Sequence, residues 1–387
     1  MSIRKYKTII GRKKFIEEKV GLKLPSIGIY PKNLETAGCR NCENMIGATQ
    51  IPLGIAGPVK IMGKFARGEY YLPLATTEGA LVASVSRGCK AIALSGGAKV
   101  YTQNAGISRG AVFKVGNLAA GFSFKKWLDD NFTRIAQRAS ETSSHLFLKN
   151  IFTKIVGKNV FVRFSFDTTD AMGMNMVTIA AEIISKMIEA ETKVECLALA
   201  GNFDIDKKPA WLNSILGRGR QVWAEVIVPF AIVREVLKTT PDKIHEVATQ
   251  KCLVGSAISG SLGFNSHFAN IIAAIFIATG QDVAHTVEGS LGITTTEIIK
   301  DSLYISIYLP DLPIGTVGGG TALPSQREAF AILGIGGGGR GEKTGKFAEI
   351  IGGAVLAGEL SLLSSLAEGS LASSHQRLAR NKLFKAK

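Results

Sequence analysis

Asn159-Val-Phe-Val-Arg-Phe-Ser-Phe166 carries apolar residues with a period of two, and Asp170-Ala-Met-Gly-Met-Asn-Met176, just beyond it, opens a run with helical spacing. A two-residue period marks a strand and a 3.6-residue period a helix. The pair therefore reads as a strand followed by a long helix reaching about Glu191. Met172, Met176, Ile179, Ile183 and Met187 fall at helical spacing, which predicts that they face the core. Upstream, Ala111-Val-Phe-Lys-Val is strand-like and residues 123–149 read as mostly helical. Residues 111–199 thus alternate strand and helix as one unit. On either side the texture differs, which predicts a compact unit inserted between two halves of a larger α+β domain.

Further out, residues 12–20 read as a short amphipathic helix closed by Gly21. The stretch Ile51-Pro-Leu-Gly-Ile-Ala-Gly-Pro-Val-Lys-Ile61 is strand and turn, since its prolines and glycines break a helix. Residues 80–94 are apolar on a helical period, with Thr76 or Thr77 as the expected N-cap and Glu78 in the first turn. Residues 256–276 are rich in Gly, Ala and Ser, which permits close helix packing. Asn265, His267, Asn270, Gln281 and Asp282 lie within or just after this apolar stretch and require partners if buried.

A chain of 387 residues, 46% hydrophobic and 20% charged, is long enough for two or three packed domains and too apolar for disorder. The longest charge-free stretch, residues 253–281, is interrupted by polar residues, and its most apolar part falls short of the ~18 residues a membrane span needs. The basic N-terminus lacks an apolar signal core. A soluble, cytoplasmic protein is the expectation. Five cysteines, Cys39, Cys42, Cys89, Cys196 and Cys252, are too few and uneven for a disulfide framework. Cys39 and Cys42 form a C-x-x-C without a second pair at zinc spacing, so no metal is expected. The net charge of +15 calls for an anionic partner. Basic residues are spread along the chain and aromatics are not interleaved with them, which favours a phosphate-bearing small molecule over nucleic acid.

Two glycine-rich stretches bear on that ligand. Gly334-Ile-Gly-Gly-Gly-Gly339 fits G-x-G-x-x-G but follows a predicted helix, where the Rossmann fingerprint requires a strand. Gly345-Lys346 precedes Phe347, which excludes a Walker loop. Ile314-Gly-Thr-Val-Gly-Gly-Gly-Thr321, between a predicted strand and a helix, could set backbone N–H groups against a phosphate. In Gly201-Asn-Phe-Asp-Ile-Asp-Lys-Lys-Pro209, Lys207 or Lys208 stands beside two acids. A lysine so placed can be held in a cleft to stabilise a developing oxyanion, although the same residues make ordinary turns.

Taken in order, Glu43-Asn-Met-Ile-Gly47, Thr76-Thr-Glu-Gly79, Asp170 to Met176, Gly201 to Pro209, Gly217-Arg-Gly219, Gly280-Gln-Asp282, Ile314 to Thr321, Gly358-Glu-Leu-Ser-Leu362 and Ser374-His375 resemble 3-hydroxy-3-methylglutaryl-CoA (HMG-CoA) reductases of the class I, archaeal and eukaryotic kind. The resemblance covers nearly all the chain from about residue 10. It implies a two-step reduction of HMG-CoA by NADPH to mevalonate and CoA, in the pathway to isoprenoids, with a catalytic set of Glu78, Lys207, Asp282 and His375. Lys207 would stabilise the oxyanion, His375 protonate the CoA thiolate, Glu78 act as a buried acid, and Asp282 tune the other two. Substrate contacts would come from Arg109, Lys208, Lys251 and Asn270 for the HMG carboxylate. Ser84, Arg87, Lys90, Lys238, Ser361 and Leu362 would meet the CoA portion. Cofactor contacts would come from Ser143, Asp170, Met172, Gly173, Met174, Asn175, Gly318, Gly319 and Gly320.

The implied architecture is an N-terminal helical segment (1–42), a large HMG-CoA-binding domain in two pieces (43–110 and 200–387), and an inserted NADP(H)-binding domain (111–199) that is ferredoxin-like and not Rossmann. Active sites would lie between the subunits of a homodimer or homotetramer, with no membrane or nucleic-acid partner. The chain departs from the family pattern at Ala200, where a substrate-contacting serine is usual, and at Ser144, where an arginine often faces the cofactor 2′-phosphate. His145 or Lys149 could substitute for that arginine. An NADH-preferring or degradative enzyme is therefore the alternative. Thr169 and Glu288 replace glycines, and Asn381 replaces a regulatory phosphoserine of animal relatives.

Overall fold

The computed structural model describes residues 2–369. It shows a mixed α+β fold. Among the described residues, nine strands are ordered as β1 (Leu53–Met62), β2 (Arg67–Ala75), β3 (Ala98–Lys114), β4 (Phe147–Val156), β5 (Asn159–Asp167), β6 (Glu195–Ala198), β7 (Arg218–Val228), β8 (Ile293–Ile299) and β9 (Ser302–Leu312). The larger sheet runs β2-β1-β3-β7-β9-β8, antiparallel except for the short β1–β3 pairing.

β3 joins the two cores. Its 17 residues exceed the strand legible in the sequence, which began only at Ala111. The first half pairs with β7. After Gly106, at φ +88°, the second half pairs with β5 and β6. A β-carbon at Gly106 would lie 2.9 Å from the Phe166 carbonyl oxygen, so glycine is needed where the strand changes partners.

The second sheet, β6-β3-β5-β4, is antiparallel throughout. Helices Leu118–Asp130 and Phe132–Ser140 connect β3 to β4, and helix Met174–Thr192 connects β5 to β6. The core between them holds Phe113, Phe124, Leu128, Ile135, Phe164, Phe166 and Ile184. Two expectations need correction here. Residues 147–149, read as the end of a mostly helical run, instead open strand β4, which pairs with β5 across the Gly157 turn. Along Met174–Thr192 the buried stripe is Val177, Ala180, Ala181, Ile184 and Ile188; Met172, Met176 and Met187 pack against this core from its edge, as expected, whereas Ile179 is 55% exposed. That stripe faces β3 and the Phe132–Ser140 helix.

The larger core packs the sheet against helices Leu81–Leu94, Phe268–Thr279 and Glu342–Glu368. Glu342–Glu368 has 27 residues and is long and apolar enough to cross a membrane, but 83% of its most apolar window is buried inside the protein. It is the central core helix. Gly88 lets the Leu81–Leu94 helix approach it, since a β-carbon there would stand 1.9 Å from the Ala357 carbonyl oxygen. The N-terminal helix Ile9–Val20 ends at Gly21 in the left-handed conformation, as its sequence requires.

Glu78 does not fall in a first helical turn. The Leu81–Leu94 helix starts after Ala80, at φ +75°, without a side-chain cap. The Thr76 hydroxyl instead accepts from the Glu78 N–H at 3.0 Å, closing a turn ahead of the helix.

Candidate active site

The 201–209 loop is held by polar groups from three directions. The Ser108 hydroxyl donates to the Asp204 carbonyl at 2.8 Å, the Asn213 amide donates to the Ile205 carbonyl at 3.1 Å, and Arg218 Nη2 lies 2.9 Å from Asp206 Oδ1. Arg109 lies 3.4 Å from Asp204 and 4.0 Å from Asp206. Asn202, Ile205 and Lys207 adopt positive φ of 58°, 52° and 55°. Each costs about 1–2 kcal/mol for a residue with a β-carbon, so the loop keeps this shape only because its anchors over-determine it.

That shape carries Lys207 Nζ to 2.8 Å from Asp282 Oδ2, with 41% and 36% of the two side chains exposed. The hydrogen bond to Asp282 raises the Lys207 pKa above its usual value, against the effect of burial. Burial opposes ionisation of Asp282, but bonds from Lys207 and the Ala284 N–H, with the nearby His285, outweigh it and hold the carboxyl below its ordinary range. Asp282 is itself fixed at the end of helix Phe268–Thr279. The preceding Gln281 is 7% exposed and exchanges hydrogen bonds of 2.9 and 3.0 Å with the Gly315 backbone.

Asn270, on the same helix, donates to Glu78 Oε1 at 3.1 Å. Glu78, expected to be a buried acid, is exposed in the single chain. A cavity of about 1060 Å³ adjoins this region, and Pro209, Lys251, His267 and Asn270 are among its lining residues. Lys251 sits on a π-helical segment, Thr249–Gly255. The structure therefore brings Lys251 and Asn270 to one cavity, Asn270 to Glu78, and Lys207 to Asp282. Lys208 is exposed and donates to the Asp206 carbonyl at 3.3 Å, while Arg109 is occupied with the loop acids. His375 lies outside the described residues.

Ser84, Arg87 and Lys90 recur every three residues along the Leu81–Leu94 helix. Ser361 is fully buried between that helix and the central one, 2.9 Å from the Ser84 hydroxyl and 2.5 Å, through its carbonyl oxygen, from Arg87 Nη2. In this conformation Ser361 makes a helix-to-helix contact. Leu362 is half-buried, and Lys90 and Lys238 are exposed.

The proposed cofactor residues fall into two groups. Asp170–Asn175 and the glycine stretch are in direct contact: Ala171 and Val317 form a β-bridge, and the Thr316 N–H donates to the Asp170 carbonyl at 2.8 Å. Gly173, at φ +87°, stands at the N-terminus of helix Met174–Thr192, with Met172 and Met174 packed on the smaller core and Asn175 exposed. β-Carbons built on Gly318 and Gly319 would meet nothing within 4 Å, whereas one on Gly320 would lie 2.5 Å from the Gly280 carbonyl oxygen. The Asp170 carboxylate is turned inward. It accepts from Gly339, Gly341 and Thr344 N–H groups at 2.5, 3.0 and 2.8 Å, at the start of the central helix. Ser143 is in the other group, and its hydrogen bonds are local: its N–H donates to the Ser140 carbonyl and its hydroxyl accepts from the His145 N–H. Beside it Ser144 and His145 are exposed, and the Lys149 ammonium donates to the Asn104 carbonyl.

Sequence reasoning passed over Arg218 and His285 and had no account of Glu288; all three are fully buried, in a group with Asp206. Glu288, where a glycine is usual, provided a signal that only the fold could interpret. Thr169 also gains an explanation: its φ is +54°, the conformation a glycine enters without strain.

Solved structures of HMG-CoA reductases from Streptococcus pneumoniae share this fold. A class II enzyme bound to NADPH superposes with a TM-score of 0.68 at 19% identity, covering 94% of this chain and 98% of that one. A second structure of the pneumococcal enzyme gives 0.67 at 18% identity. These define the fold class. The family model for hydroxymethylglutaryl-coenzyme A reductase matches residues 8–380, and the chain belongs to that family. The 3-hydroxy-3-methylglutaryl-coenzyme A reductase of Pyrococcus horikoshii is 52% identical over 95% of this chain and 91% of its own. That of Methanothermobacter thermautotrophicus is 50% identical over 95% and 92%, and that of the plant Hevea brasiliensis 43% identical over 88% of this chain and 60% of its own.

Proposed function

We propose that this HMG-CoA reductase is of class I and reduces HMG-CoA to mevalonate and CoA in two steps, using NADPH. The observation that carries the reading is the Lys207–Asp282 pair at 2.8 Å on a loop that also supplies Pro209 to the cavity. NADPH, when bound, supplies the hydride for each step. Lys207 stabilises the oxyanion that develops on the thioester carbonyl, because a fixed ammonium in a cleft needs no reorganisation. Asp282 keeps that ammonium charged and aimed. Glu78, oriented by Asn270, is the acid that protonates the final alkoxide, and His375 protonates the departing thiolate. The exposed Lys251 and Lys208 offer cations to the HMG carboxylate.

The β-α-α-β-β-α-β element order and the β6-β3-β5-β4 sheet support a ferredoxin-like nucleotide-binding unit at 111–199. The open face of Gly318 and Gly319, beside the helix that begins at Met174, fits a ligand carrying phosphates. We place the active site between subunits of a homodimer or homotetramer. Glu78 is exposed in the single chain, and Leu53 and Ile55 of β1 present 49% and 45% of their surface, which a partner would cover.

Exposed Ser144 favours a second reading, with NADH as the preferred reductant, because no arginine stands there for a 2′-phosphate. Comparing kcat/KM for the two cofactors separates the readings. Ser144→Arg is expected to move the ratio towards NADPH; an unchanged ratio would remove Ser144 from the cofactor site.

A further inference from the structure

A line of contacts runs inward from the Lys207–Asp282 pair and ends on Glu288. The Asp282 carboxylate faces His285, whose Nε2 lies 3.8 Å from Asp282 Oδ2. The opposite ring nitrogen, Nδ1, is 2.8 Å from Glu288 Oε1 and 3.9 Å from Asp206 Oδ1. His285 and Glu288 are both 0% exposed. Arg218, equally buried, closes the group with Nη1 2.5 Å from Glu288 and Nη2 2.9 Å from Asp206. Asp206, Asp282 and Glu288 thus face the imidazole, Arg218 and Lys207 balance them, and buried Asp311 acts electrostatically on Arg218 and Glu288.

An apolar side chain would fill the space of His285 without needing partners, so an imidazole among three carboxylates calls for a reason beyond packing. Its Nε2 is buried, has no hydrogen-bond partner among the described residues, and faces a carboxylate of the site. Asp206, His285 and Glu288 are close enough to ligate a cation. Arg218 already places a fixed positive charge on both carboxylates, which disfavours a metal there.

We propose that His285, backed by Glu288, is a positioning residue for the reduction: it holds Asp282 turned towards Lys207, and so keeps the ammonium aimed at the reacting carbonyl. The proposal rests on the role given to Lys207 above. Glu288 can only accept, so the neutral ring carries its hydrogen on Nδ1 and presents Nε2 to Asp282. The ring is rigid and held from behind by a carboxylate that Arg218 fixes in turn, so Asp282 backs onto a surface that cannot swing away. Loosening that support displaces Lys207 in the transition state while leaving the residues that bind the substrate carboxylate in place.

The test compares His285→Ala and His285→Gln in the full chain, with wild-type 15N-histidine spectra as a readout that does not need activity. Expected in His285→Ala is a fall in kcat of about tenfold to hundredfold with KM for HMG-CoA within about twofold of wild type. His285→Gln, which can still donate to Glu288, should recover most of the rate. Wild-type kcat in folded His285→Ala would overturn the proposal, as would kcat and KM failing together to the same extent in both variants. If His285→Ala does not fold, the spectra decide. An Nδ1–H tautomer whose Nε2 resonance moves in Asp282→Asn supports the relay, and an Nε2–H tautomer or an unmoved resonance overturns it. A wild-type protein that does not oxidise NADPH with HMG-CoA would instead contradict the function proposed above, and the spectra would still decide the role of His285.

Discussion

Lys207 and Asp282 form an ion pair, 2.8 Å apart, between residues 75 positions apart in sequence, and each shifts the other towards its charged form. The folded pKa of Asp282 is depressed below 3.8, so its contribution is present above that value and is lost as pH falls through the folded pKa. The folded pKa of Lys207 is raised above 10.5, so its contribution is complete below that value and is lost as pH rises through the folded pKa. The pair therefore stays ionised across the whole neutral range. The melting difference between wild type and Asp282→Asn should be constant from about pH 5 to about pH 9. A difference that varies across that window would show another group titrating with the pair.

Asp170 offers a prediction about stability. Burial opposes its charge, but N–H groups of Thr344, Gly341 and Gly339 outweigh that effect and depress its pKa. Its contribution is therefore full above its ordinary value of 3.8 and lost as pH falls through the lower folded value. Asp170→Asn keeps the shape but loses charge-assisted bonds, and should cost about 1.5–3 kcal/mol at neutral pH. Denaturant titrations at neutral and acid pH should show that cost shrinking as the wild-type carboxyl protonates.

At Thr169 the direction reverses. A β-branched residue at φ +54° is strained, and glycine relieves the strain at an entropic cost of about 0.5–1 kcal/mol. Thr169→Gly should be neutral or stabilising by about 1 kcal/mol, read as a higher urea midpoint at unchanged slope. Marked destabilisation would mean that the threonine side chain makes a compensating contact.

These sites also show what the sequence could carry. The period-two run at 159–166 and the helix after Asp170 were legible because one face of each is apolar, and their pairing followed from the unit they bound. β4 was not legible, because Phe147 to Val156 is decided by partnership with β5 across the sheet. The helix face was legible only in part: Met176 and Met187 pack against the core as their spacing suggested, but Ile179 fits the same stripe and is exposed, and only the position of β3 separates it from Val177 and Ile184. The motif around Lys207 marked the site, but its geometry depends on Arg218, Ser108 and Asn213, which approach from other elements. Glu288 was visible as an oddity, and its explanation required His285 and Arg218 to be seen around it.

The most direct measurement follows NADPH oxidation with HMG-CoA, for wild type beside Lys207→Ala and Glu78→Gln, each checked for folding by circular dichroism. Expected are two NADPH consumed per HMG-CoA by the wild type, a loss of about 10²–10³ in kcat for Lys207→Ala, and a loss of about 10²–10⁴ for Glu78→Gln. Full activity in folded Lys207→Ala would contradict the assignment of the oxyanion-stabilising cation, and with it the reading of the 201–209 loop.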